Sequence, residues 1–126
     1  MSSLILQFFT WWNGQTWGTR YYTWRNGVKV GEDSQGNVYY RNADDTRRWI
    51  IYNGPVEASR IPSGWHGWMH HKVKAAPSEQ NYAKREWELP HLANPTGTAH
   101  ARLPDSSLLK PDPKVAQDAD YEAWRP

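Results

Sequence analysis

The chain has 126 residues, a net charge of +2 and no cysteine. That is enough for one small domain, and it excludes disulfide scaffolds, thiolate iron–sulfur ligation, zinc ribbons and thiol nucleophiles. Nine Trp and seven Tyr argue against disorder, which goes with few aromatics and high charge, and point to packing around large rings that keep a polar handle.

The rings are concentrated early and the prolines late. Residues 1–71 hold 7 of the 9 Trp and 5 of the 7 Tyr, whereas residues 77–126 hold 7 of the 9 Pro. The expected organisation is a folded module over residues 1–74 and an extended Pro-rich tail over 75–126. The expected fold class is α+β: a small antiparallel, aromatic-rich β-meander of three to four strands, a short N-terminal amphipathic helix and a short Trp/His helix ahead of the tail. No stretch reaches the roughly 18 apolar residues of a membrane span. No basic n-region precedes the apolar N-terminal stretch, and no Arg falls in the first 19 residues. Neither a secretory signal nor an Arg-rich transit peptide is therefore expected.

Residues 3–13 read as a helix. Ser3, Gln7 and Thr10 share one face at spacings of four and three, and Phe8, Trp12 and their apolar neighbours cover the rest. Asn13-Gly14 is its stop. At about 11 residues such a helix is marginal alone in water and needs something to lie against. Arg20–Trp24 reads as a strand, with Asn26-Gly27 as a hairpin turn. Val28–Val30 is the next strand. Gly31–Asn37 is a longer turn, Val38–Arg41 a strand, Asn42–Thr46 a turn and Arg47–Tyr52 the last strand. Asn53-Gly54-Pro55 stops it, because Pro cannot donate to a ladder. Pro62 opens a short helix to His71, with Trp65, Trp68 and Met69 on one face. Beyond Ala75 the prolines interrupt every period.

Three constellations bear on chemistry. His66 and His70, at i and i+4 with His71 beside them, have a spacing that can grip zinc. Gly67 occupies the position a general base would take, and no Cys or carboxylate completes a site, so these are expected to be surface or interface histidines. Glu32-Asp33 and Asp44-Asp45 are carboxylate pairs, but both fall in turns, where Asp bonds its own backbone. Arg47-Arg48 beside Trp49, with Tyr39-Tyr40 across the sheet, could form a nucleic-acid stacking platform. The adjacent acids and the near-neutral charge favour protein contacts instead. The chain lacks G-x-G-x-x-G, P-loop and G-x-S-x-G motifs. No catalytic, cofactor-binding or metal residue is assigned.

Four stretches, in order over roughly residues 14–98, carry a family resemblance. Val30-Gly31-Glu32-Asp33-Ser34-Gln35-Gly36-Asn37-Val38-Tyr39-Tyr40 resembles the signature turn and strand of a small accessory subunit family of respiratory complex I, NADH:ubiquinone oxidoreductase. The same family includes the paralogous assembly factor mimitin. Arg47-Arg48-Trp49-Ile50-Ile51-Tyr52 is similar to its RRW…Y strand. Arg60 to His70 is similar to its PPEWHxWLH segment, with Ser63-Gly64 in place of Pro-Glu. Asn94-Pro95-Thr96-Gly97-Thr98 is similar to its N-x-TGT tail. The resemblance implies a non-catalytic role. Members dock on the peripheral arm near the iron–sulfur and quinone-binding subunits, stabilise it and support assembly. It implies no cofactor on this chain, with FMN, iron–sulfur clusters and quinone belonging to the parent complex.

The positions expected to set the fold or an interface are Phe8, Trp12, Gly31, Glu32, Asp33, Gly36, Asn37, Tyr39, Tyr40, Arg47, Arg48, Trp49, Tyr52, Trp65, His66, Trp68, His70, Thr96, Gly97 and Thr98. The expected partners are other complex I subunits, without nucleic acid and without a homo-oligomer. Residues 3–13 could also touch a membrane surface. The expected location is peripheral, on the cytoplasmic side of a bacterial inner membrane, or on the matrix side in a mitochondrion. The second reading is a small aromatic nucleic-acid-binding or assembly-chaperone module.

Overall fold

Local capping and turn chemistry define most elements of the computed structural model, which describes residues 4–10, 14–80, 82–105, 107–110 and 124–125. Contacts divide the chain into two units, Met1–Ala93 and Asn94–Pro126. The first unit contains every helix and strand among the described residues.

Of the helix expected over residues 3–13, the described part is α1 (Leu4–Phe9), and Thr10 lies past its end. Ser3 and residues 11–13, with Trp12 among them, lie outside the described residues. The expected strand at Arg20–Trp24 is a helix instead: α2 runs Trp17–Asn26. Thr16, in extended conformation, accepts a hydrogen bond from Thr19 N on its side chain at 3.2 Å and caps the start. Gly27 N donates to Thr23 O at 2.8 Å and closes the end. Asn26-Gly27 is therefore a helix stop and not a hairpin turn. The ring-rich sequence fits either state by propensity, because β-propensity largely measures fit to a half-buried surface. Tertiary contact decides for the helix. Thr19, Tyr22 and Thr23 share a helical face. Thr23 Oγ1 accepts from Trp49 Nε1 at 2.9 Å, and the Tyr22 ring lies 5.3 Å from that of Trp49.

The sheet is antiparallel and three-stranded in the order β1 (Val28–Glu32), β2 (Val38–Arg41) and β3 (Arg48–Ile51). Tyr39 pairs with Ile50 and Tyr40 with Trp49. A bulge between Lys29 and Gly31 lets both Val30 and Gly31 address one face. Val30 packs on the core there, and a Cβ at Gly31 would stand 2.7 Å from the Trp65 ring.

Alternation along β2 and β3 divides the rings between two faces. Tyr39, Arg48 and Ile50 face α3 (Ser63–Met69), whereas Tyr40 and Trp49 face α2. A short 3-10 turn, Ala58–Arg60, leads into α3, which begins after Pro62.

The buried core is small: Tyr39, Trp65, Trp68 and Ala76, with Asn37 beside it. Residues just past α3 pack back on the unit. Ser78 Oγ donates to Val30 O at 3.0 Å, and Tyr82 Oη to Ala75 O at 2.7 Å. The Tyr82 ring sits over Gly64, where a Cβ would meet it at 2.8 Å. That contact is a physical reason for glycine at position 64.

Candidate interface and its anchoring cluster

The turn between β1 and β2 is organised by one carboxylate. Asp33 Oδ1 accepts from Gln35 N at 2.8 Å and Asn37 N at 3.0 Å; Oδ2 accepts from Asn37 Nδ2 and Tyr39 Oη, both at 2.9 Å. This is the Asx chemistry that turns favour. Gly36 takes φ +80° in the same turn, a conformation that glycine adopts without steric cost. Asn37 is fully buried, and its Oδ1 accepts from Asn53 N at 3.0 Å, tying the turn to the end of β3. Burial and the bond to Asp33 push the Tyr39 phenol well above its ordinary pKa, so it stays a donor. Burial likewise raises Tyr52.

Behind the turn the rings lock together. Tyr39 stacks on Trp65 at 3.9 Å and 5°, Trp65 meets Trp68 edge-on at 5.7 Å and 90°, and Tyr39 meets Trp68 at 6.4 Å and 85°. Arg48 closes this cluster. Its guanidinium lies 4.6 Å over the Trp68 ring. It donates to both carboxylate oxygens of Asp45 and to the carbonyls of Trp68 and Val73. Its side chain is 3% exposed. The hydrogen bonds from Arg48 hold the Asp45 carboxyl below the usual range, and the bond to Asp45 raises Arg48.

The expected stacking platform is thus divided. Tyr39 and Arg48 are committed to the α3 face. Arg47 lies exposed on the other side, 5.8 Å over the Tyr22 ring, near Tyr40 and Trp49, whose rings are 6.1 Å apart. Gly18, Thr19, Tyr22, Arg47, Trp49 and Ile50 line an open groove of about 450 Å³ between α2 and β3.

The remaining expected positions scatter. Glu32 is exposed and pairs with Lys29 at 3.4 Å. His66 and His70 are exposed, with rings 4.3 Å apart. Among the described residues no group of three or more His, Cys, Asp or Glu could hold a metal ion. Phe8 is exposed on α1. In the second unit, Asn94 Oδ1 accepts from Thr96 N and Oγ1, Thr98 donates to Pro95 O, and Gly97 takes φ +83°. Thr96, Gly97 and Thr98 thus lie in a local turn with Asn94 and Pro95.

Sequence reasoning passed over Arg60, Asn53 and Asp45 as determinants. Arg60 donates to Gln35 Oε1, Pro55 O and Asn53 O, tying the turn between β1 and β2 to the turn that follows β3. Its place at the head of the Trp/His motif was the available signal. Nothing local marks Ala76 or Ser78.

The profile of the family described as NADH ubiquinone oxidoreductase subunit NDUFA12 matches residues 27–126. The chain is 37% identical over 98 residues to NADH dehydrogenase [ubiquinone] 1 alpha subcomplex subunit 12 of Dictyostelium discoideum, covering 72% of this chain and 71% of that protein. It is 35% identical over 77 residues to the probable subunit 12 of Caenorhabditis elegans, covering 56% and 53%. It is 33% identical over 100 residues to subunit 12 of Bos taurus, covering 68% of each. The match takes in the Asp33 turn, the Arg48 clamp and the Trp65/Trp68 helix together, and the chain belongs to the NDUFA12 family of complex I accessory subunits.

Proposed function

We propose that this chain is a non-catalytic accessory subunit of respiratory complex I. In this reading it stabilises the peripheral arm beside the iron–sulfur and quinone-binding subunits and supports assembly. The single observation that carries the reading is the family match over residues 27–126. The surface supports it. Trp87, Leu89 and Leu92 are about four-fifths exposed or more, and apolar groups left in water at this level commonly mark an interaction surface. The division of labour follows burial. Gly31, Asp33, Gly36, Asn37, Tyr39, Arg48, Trp65 and Trp68 set the fold. Arg47, Tyr40, His66 and His70 are offered to partner subunits. FMN, the iron–sulfur clusters and quinone stay with the parent complex, which sits on the membrane. The subunit faces the bacterial cytoplasm, or the matrix in a mitochondrion.

The test is removal of the chain from its own organism. The amount of intact complex, or its tolerance of detergent, should fall. Electron transfer per remaining intact complex should stay the same. A tag on this chain should retrieve the flavin and iron–sulfur complex. Normal levels of assembled complex with electron transfer abolished would refute the non-catalytic role, and retrieval of RNA or DNA in its place would refute the subunit assignment.

A further inference from the structure

The N-terminal part of the chain has a charge pattern that the rest lacks. All 13 acidic residues lie at or beyond Glu32, whereas Arg20, Arg25 and Lys29 precede it. The helix α2 turns Thr19, Tyr22 and Thr23 toward the sheet, which leaves Trp17, Tyr21 and Trp24 outward, 43%, 61% and 78% exposed. Arg20 and Arg25 are exposed on the same helix, and the Arg20 guanidinium lies 5.9 Å over the Trp17 ring. The helix α1 continues the surface. Its Phe8 ring is 6.3 Å from Trp17, and Phe8 and Phe9 are 70% and 80% exposed. No helix among the described residues is long and apolar enough to cross a membrane.

We propose that the outer face of α1 and α2 is a docking surface for an anionic lipid bilayer. The occupant follows from the chemistry. Indole and phenol rings favour the headgroup level. Cationic side chains beside them are attracted to anionic lipid, and helices that lie in the interface combine these two features. A carboxylate on this face would be repelled by such a surface, and residues 1–31 contain none. Protein partners also accept Trp, Tyr and Arg, but a partner does not require that acids be missing from a whole quarter of the chain. Of this face only the neighbourhood of Gly27 borders the stretch that matches the family, which begins at residue 27. The surface is therefore a property of this chain beyond the accessory-subunit reading, and it is tested separately from it.

The chain has no cysteine, so Trp24→Cys and Trp87→Cys each create one labelling site, both at residues 78% exposed. The purified full chain, spin-labelled at either position, is mixed with phosphatidylcholine vesicles containing or lacking 30% phosphatidylglycerol. The label at position 24 should become accessible to oxygen and shielded from aqueous nickel chelate on the anionic vesicles only, while that at 87 stays aqueous. Neutralising Arg20→Gln or Arg25→Gln should weaken vesicle binding about five-fold each, and raised salt should do the same. Equal binding to both vesicle types, or an aqueous label at 24 on anionic vesicles, overturns the proposal. So does a label at 24 that is equally buried in the detergent-extracted, delipidated complex, because a protein neighbour then covers the face. Failure in any of these ways leaves co-purification with complex I unaffected.

Discussion

Two residues repay substitution because each couples a local constraint to the core. Gly31 has no room for a methyl group: its Cβ would meet the Trp65 ring at 2.7 Å and Ser78 at 2.9 Å. Overpacking of this kind costs about 1–3 kcal/mol, so Gly31→Ala should lower the unfolding free energy by that amount, read as a lower chemical-denaturation midpoint at unchanged slope. Asp45 gives a pH signature. Arg48 holds its folded-state pKa below the ordinary value. The unfolded chain then takes up a proton more readily than the folded one, so the stabilisation is present above about pH 4 and lost as pH falls through the folded pKa. The Asp45→Asn variant should be less stable near neutrality and show a flatter loss of stability as pH falls below about 4. Asn tolerates the positive φ of 53° found there, which keeps the comparison free of backbone strain. Thermal melts at a series of pH values check both points.

At the level of elements, α2 is the piece most dependent on its neighbours. Only ten residues long and rich in aromatics, it is too short to persist alone. Its cap at Thr16 and its bond from Trp49 to Thr23 hold it on the sheet. Thr16→Ala should cost about 1 kcal/mol. Trp49→Phe keeps the ring contact with Tyr22 but removes the N–H donor, at a cost of about 1 kcal/mol. In hydrogen exchange both variants should lose protection along α2 first, while the central strand β2 around Tyr39 stays protected. Simultaneous loss across helix and sheet would mean that α2 does not open as a separate unit.

Over the whole molecule, the core is built from few side chains but closed by a distant segment. Ala76 is 1% exposed, Ser78 binds the β1 backbone, and Tyr82 covers Gly64. A chain ending at Ala93 should melt within a few degrees of the full chain. One ending at Ala75 should melt lower by more than about 5 °C, since 1 kcal/mol moves a domain of this size by roughly 4–8 °C. Differential scanning of the two truncations separates them. Residues 94 onward are proposed to act as a strap on the assembled complex. Limited proteolysis should cut this segment in the free chain and spare it in the complex.

Locally encoded features were legible from the residues themselves. Val38–Arg41 and the Arg48–Ile51 strand alternate between faces, the Asp33–Asn37 turn carries its own carboxylate and glycine, and the Trp65/Trp68 pair lies on one side of a helix begun after Pro62. Each of these depends on neighbours within a few positions, so composition and spacing are enough. Tertiary structure decided what depends on distant partners. Arg20–Trp24 became helix because Trp49, some 26 positions away, receives Thr23 and Tyr22 on one helical face. Arg48 left the surface because the carbonyls of Trp68 and Val73 and the Asp45 carboxylate could satisfy it inside. Ala76 was drawn in to finish a core whose small size no single segment could complete. Propensity and periodicity carry no information about such pairings, since the free energy that selects them exists only once the chain has brought both sides together.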